Sequence, residues 1–178
     1  PGIYTLNGNS NMLHALSMAG GIDDIGSYRN INLIRNGKTV DTLDIYDVLI
    51  YGKNDFQKGL RSGDSILVNP PSKIVSIESG VMRPARYELK DDETLEDLIR
   101  YASGFSPNAI QDSIIIKRIQ NGEIQTFDIN SINLRSFKFM NGDSVYISEY
   151  KLSKISIIGA VKNPGTYVLE NGTTLSQL

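Results

Sequence analysis

The chain repeats itself, and that restricts it to an array of small units rather than one large core. Pro1-Gly2-Ile3-Tyr4-Thr5-Leu6 matches Pro84-Ala85-Arg86-Tyr87-Glu88-Leu89, which in turn matches Pro164-Gly165-Thr166-Tyr167-Val168-Leu169. The first register holds through Met12/Leu95, Leu16/Ile99, Ala19/Ala102, Gly21/Gly104, Ile31/Ile114 and Arg35/Arg118, and slips only at Gly37/Gly122 and Gly63/Gly142, where turns absorb changes in length. The second register joins Val75-Ser76-Ile77 to Ile155-Ser156-Ile157, Thr94 to Thr174 and Leu98 to Leu178. The expected organisation is a first copy over 1–70 without its opening strand, a complete second copy over 71–150, and the opening hairpin and helix start of a third over 151–178. Such a chain reads as part of a longer array.

Each copy has its own punctuation. Lys73 to Ile77 and Lys154 to Ile158 alternate apolar and polar residues, as a half-buried strand does, and a turn leads to a second strand at Tyr87-Glu88-Leu89 or Tyr167-Val168-Leu169. Thr94 with Asp97 has the form of a capping pair, and Leu95, Leu98, Ile99 and Ala102 recur at helical spacing up to Gly104, predicting a helix of about three turns. Asn36-Gly37 and Asn121-Gly122 lie between apolar alternations, the strongest short-range hairpin signal, with returning strands at Val40 to Ile45 and Ile124 to Ile129. Gly63-Asp64 and Gly142-Asp143 precede a closing strand. The order β-β-α-β-β-β predicts an α+β module, a small mixed sheet packed on one helix.

Composition removes several function classes. With no cysteine there is neither a disulfide framework nor a thiolate metal site, and a net charge of -2 without a basic cluster argues against nucleic acid. No stretch approaches the apolar length of a membrane helix, and no signal-peptide pattern opens the chain.

Taken in order, these motifs resemble the SLBB (soluble ligand-binding β-grasp) domain, found in tandem in bacterial outer-membrane polysaccharide export proteins. The resemblance rests on Gly159-Ala160-Val161-Lys162-Asn163-Pro164-Gly165-Thr166-Tyr167-Val168-Leu169, Ala19-Gly20-Gly21, Arg35-Asn36-Gly37 and Gly63-Asp64-Ser65-Ile66-Leu67-Val68. The second copy departs from it at Ser79-Gly80-Val81, at Ala85 and at Ala102-Ser103-Gly104. The resemblance implies tandem β-grasp modules in a non-enzymatic periplasmic segment, associated with the outer membrane. Such a segment contributes to a conduit or docking surface for capsular or exopolysaccharide. It further implies, as partners, the polysaccharide, other copies of the protein in a ring, and an inner-membrane polysaccharide co-polymerase. The alternatives are a small-ligand module for a saccharide or a cobalamin-like molecule, and a pure scaffold.

Individual residues carry weaker signals. Arg35 and Arg118 recur at a strand end, where each either forks an acidic sugar or pairs with a neighbouring carboxylate. Asp64 and Asp143, and also Asp44 and Asp128, recur as carboxylates that suit a tight turn or a cation or sugar hydroxyl. His14, the sole histidine, faces Asp97 in the repeat and lacks a catalytic setting; no cofactor is called for, and catalysis is not expected. Tyr4, Tyr87 and Tyr167 recur as hairpin packing, whereas Tyr28, Tyr46, Tyr51, Tyr101, Tyr146 and Tyr150 do not recur. Finally, Ile155 to Val161 with its hairpin is expected to remain a free arm or to complete the first copy of a neighbouring molecule by strand exchange.

Overall fold

The structure, a computed structural model, describes residues 2–53, 58–130, 134–150 and 153–169. The helix start expected near Thr174 and Leu178 lies outside the described residues.

The first unit begins with helix α1 (Met12–Met18), followed by strands β1 (Ile31–Arg35) and β2 (Lys38–Leu43), a short helix α2 (Ile45–Leu49) and strand β3 (Ser65–Val68). Asn11 caps α1: its side chain accepts from the His14 backbone N–H, and His14 Nδ1 accepts from the Asn11 N–H. The histidine therefore serves as the third-position partner of a capping box, the part Asp97 plays in the second unit. The sheet runs β2-β1-β3 and is antiparallel throughout. Met12 and Leu16 of α1 close over Ile31, Leu33 and Leu43 to form its core.

In the second unit the described elements run in the order β-β-α-β-β-β. Strands β4 (Ile74–Ser79) and β5 (Ala85–Glu88) lead into helix α3 (Leu95–Tyr101), and β6 (Ala109–Gln120), β7 (Glu123–Ile129) and β8 (Ser144–Glu149) follow. The order is β5-β4-β8-β6-β7, mixed because β8 lies parallel to β4. Val75, Ile77, Ile114, Ile116, Val145 and Ile147 point inward against Leu95, Leu98 and Ile99. The fold is α+β, as the order of motifs implied. A last hairpin, β9 (Ser153–Ile157) and β10 (Gly165–Leu169), pairs with itself.

Four details differ from the expectations. Helix α3 has seven residues, about two turns rather than three, because Ser103 and Gly104 both take positive φ and end it. Strand β2 stops at Leu43, since Asp44 caps α2 instead of continuing the strand. Asp44 and Asp128 are not equivalents: Ile31 pairs with Leu43 and Ile114 with Ile129, which aligns Asp44 with Asn130 and leaves Asp128 exposed inside β7. Residues 2–6 form no strand, and Tyr4 is exposed, whereas the Tyr87 and Tyr167 hydroxyls each donate to the carbonyl four residues earlier, at Arg83 and Asn163, and pin their turns.

The displaced glycine of the second unit has a structural reason. The β4–β8 register shifts after Ile77, and Gly80, at φ 74°, lies so close to Ile147 that a Cβ there would sit 2.3 Å from the Ile147 Cβ. The shift leaves Glu78 as the unpaired residue of a bulge, and just beyond it the Gly80 position admits only glycine.

Candidate functional site

Three arrangements of polar side chains stand out. The first is a clamp present in both units. Arg35 donates from Nε and Nη2 to the two carboxylate oxygens of Asp64 at 2.8 and 2.7 Å; Arg118 does the same to Asp143 at 2.8 and 2.7 Å. Each Nη2 also reaches a backbone carbonyl, of Gly59 or Lys138, and each aspartate accepts a turn N–H, of Arg61 or Met140. The fork is the bidentate geometry that would suit an acidic sugar, and here an internal carboxylate fills it. The Arg35 hydrogen bond holds Asp64 at about 2 instead of 3.8. The recurring arginine and the recurring Gly-Asp are thus two halves of one device, tying the β-hairpin to the turn before the closing strand.

The second arrangement joins the units. Arg29, 4% exposed, is enclosed by both of them: it donates to both oxygens of Asp44 at 3.1–3.2 Å, to the Glu88 carbonyl at 3.1 Å, and to Glu93. Its guanidinium lies 4.6 Å from the centre of the Tyr46 ring and 5.4 Å from that of Tyr101, and the two rings meet edge to face at 5.2 Å. Lys90 adds a second cation 2.7 Å from Asp44. Ser27 Oγ and the Tyr28 N–H donate to the Glu88 carboxylate, the Tyr46 hydroxyl accepts from the Glu88 N–H, and the Tyr101 hydroxyl donates to Glu93. Burial opposes the Arg29 charge, but hydrogen bonds to Glu93 and Asp44 outweigh it, so Arg29 titrates above its usual value. Asp44, also penalised by burial, falls below the ordinary carboxylate value through Arg29 and Lys90. Burial and then Glu93 push Tyr101 up. Helix α2 completes the joint by packing Tyr46 and Ile50 on the second unit's core.

The third arrangement lies on the face of the second sheet turned away from α3. Ile115 and Tyr146 are cross-strand partners there, flanked by paired hydroxyls, Ser113 with Ser148 at 2.8 Å and Ser76 with Ser144 at 3.0 Å. Lys117 Nζ sits 4.8 Å from the centre of the Tyr146 ring. Where β8 leaves the sheet, a shallow groove of ≈ 690 Å³ runs past Tyr146, Ser148, Glu149 and Tyr150 to Asn108 and Lys154. Among the tyrosines that do not recur, Tyr146 and Tyr150 are the two that line this groove; Tyr28 and Tyr51 are also exposed but lie elsewhere, and Tyr46 and Tyr101 are committed to the joint.

Sequence reasoning missed Arg29 because its contacts cross from one copy to the next and the repeat register puts Asp112 at its position. It listed Tyr146 and Tyr150 without choosing them, since only the sheet shows which face they share.

Comparison with known proteins agrees with this architecture. A family model described as SLBB domain matches residues 1–42, 79–128 and 154–178, more than half of the chain. Two curated relatives, both named polysialic acid transport protein KpsD and both from Escherichia coli, are 25% identical to it over 180 residues. The alignment takes in 98% of this chain and 32% of each relative, so the chain spans about a third of their length.

Proposed function

The chain belongs to the SLBB domain family, and from that premise we propose that it is a non-enzymatic periplasmic segment of a polysaccharide export protein. It contributes part of the wall or docking surface along which capsular or exopolysaccharide passes to the outer membrane. The relatives' name, polysialic acid transport protein, supports export as the setting.

The observation that carries the reading is the Arg29 joint. A conduit wall needs neighbouring modules held at a fixed angle, and here one enclosed guanidinium, two rings and three carboxylates fix the first unit on the second. Ring assembly and contact with an inner-membrane co-polymerase belong to the same proposal. Among the described residues β3 and β9 are each hydrogen-bonded along one edge only, which favours strand exchange between copies. The small-ligand alternative calls for an enclosed pocket, and the groove beside Tyr146 is shallow.

In-frame removal of residues 1–150 from the full-length protein tests this. The expected result is polymer that is synthesised but retained inside the cell, with none at the surface by antibody or lectin staining. Normal surface polysaccharide after the deletion overturns the proposal.

A further inference from the structure

We propose that the groove beside Tyr146 is a saccharide subsite that recognises a hydroxylated pyranose ring rather than the charge of the polymer. The inference rests on the export reading and supplies the contact surface that reading leaves open. The recurring arginines do not supply it, because Asp64 and Asp143 occupy their forks.

The lining has the chemistry that a sugar uses. Pyranose rings present an apolar C–H face and a rim of hydroxyls, so they favour exposed aromatic rings next to groups that both donate and accept. Tyr146 and Tyr150 supply the rings, and Asn108, Ser148, Glu149 and Lys154 supply the rim. Lys117 over Tyr146 and Ser106 Oγ on Glu149, at 2.7 Å, hold two of these groups in place before a ligand arrives. The charges are mixed and balanced: Lys117 and Lys154 stand with Glu149, and the same outer face carries Arg86 with Glu78 and Asp128, so no excess of cations is assembled for a polyanion.

The position is not a by-product of the fold. The repeat places Asn32 where the second unit has Ile115, Ile34 where it has Lys117, and Leu67 where it has Tyr146. The first unit builds the same sheet face without aromatic or cationic groups, so the second unit's set is an addition to the module. A shallow groove without enclosure predicts weak binding, on the order of millimolar, with fast release, which suits a polymer that must keep moving.

The test is an amide-shift NMR titration of this chain with two probes, neutral maltohexaose and acidic oligogalacturonate, at low and high salt. Both probes are expected to move the resonances of Asn108, Tyr146, Tyr150 and Lys154, with affinities that change little with salt. Tyr146→Ala is expected to weaken binding about tenfold while Tyr146→Phe, which keeps the ring, stays within about twofold; unchanged shifts elsewhere show that both variants fold. Shifts confined to the arginine clamps, binding by the acidic probe alone that salt abolishes, or no shift with either probe overturns the subsite. Absence of binding together with loss of export in the deletion rejects the groove and leaves the export reading intact. Binding at the groove together with normal export in the deletion keeps the subsite and rejects that reading.

Discussion

Replacing Arg29 by methionine keeps much of the side-chain volume and removes the enclosed guanidinium at the joint, leaving Lys90 there as a cation. Taking one partner from a buried ion pair costs ~3–5 kcal/mol, because the remaining charge stays desolvated. Two features of the site pull the value toward the lower end. Asp44 keeps Lys90 at 2.7 Å, and Glu93 keeps the Tyr101 hydroxyl at 2.6 Å. Loss of the guanidinium over two rings adds back ~1 kcal/mol. The expected destabilisation is therefore ~3 kcal/mol, or a melting temperature lower by ~6–12 °C for a chain of this size. Native-state hydrogen exchange locates the effect. In the parent chain the amides of Leu33, in the first core, and Ile116, in the second, should open with the same free energy, because the joint couples the two cores. In Arg29→Met the Leu33 amide should lose protection first and the two should separate. A second variant, Arg29→Met with Asp44→Asn and Glu93→Gln, removes the stranded charges while keeping a good cap for α2, and should recover part of the loss. A loss of less than ~1 kcal/mol with both cores equally protected would refute the view that this cluster holds the units together.

Other expectations are simpler to check. Asp64 is held at about 2 in the folded chain against 3.8 ordinarily, so its stabilisation is complete above pH ~4 and disappears as the pH falls toward ~2; Asp64→Asn should flatten that limb of an acid-unfolding profile. Gly80→Ala combines a positive φ with a 2.3 Å approach to Ile147 and should cost at least ~3 kcal/mol by urea unfolding, whereas Gly122→Ala, with positive φ and open space, should cost ~1–2 kcal/mol. Arg118→Lys retains the charge but cannot form the fork on the fully buried Asp143, and should lower stability by ~1–2 kcal/mol in the absence of any sugar.

The module was legible because its determinants are local. Thr94 with Asp97, Asn121-Gly122 and Gly142-Asp143 each specify a cap or a turn within a few residues, and two further copies of the pattern remove the ambiguity that any one of them carries. Helix α2 was not legible, because its amphipathic surface makes sense only against Tyr101 and the second core. The length of α3 was overestimated because Ala102 continues the apolar spacing, although the backbone has already turned at Ser103.

The same contrast separates scaffold from function. A residue that recurs at every copy answers a need that every copy has, and the Arg35–Asp64 and Arg118–Asp143 clamps answer the need to hold a hairpin to a turn. A repeat is therefore a poor place to look for a contact that serves the whole assembly. Arg29 appears once because this joint is the one between the first and second units, and Tyr146 with Lys117 appears once on a sheet face that the first unit leaves without them. Arg29 does hold Asp44, the cap of α2, in its own unit, but the other partners of its side chain, the Glu88 carbonyl and Glu93, belong to the next one, and the Lys117–Tyr146 pair lies outside the core of its module. Subtracting the recurring pattern from the sequence leaves a short set of unshared side chains, and the structure gathers the most conspicuous of them into two places: the joint that orients the modules and the groove that faces outward from them.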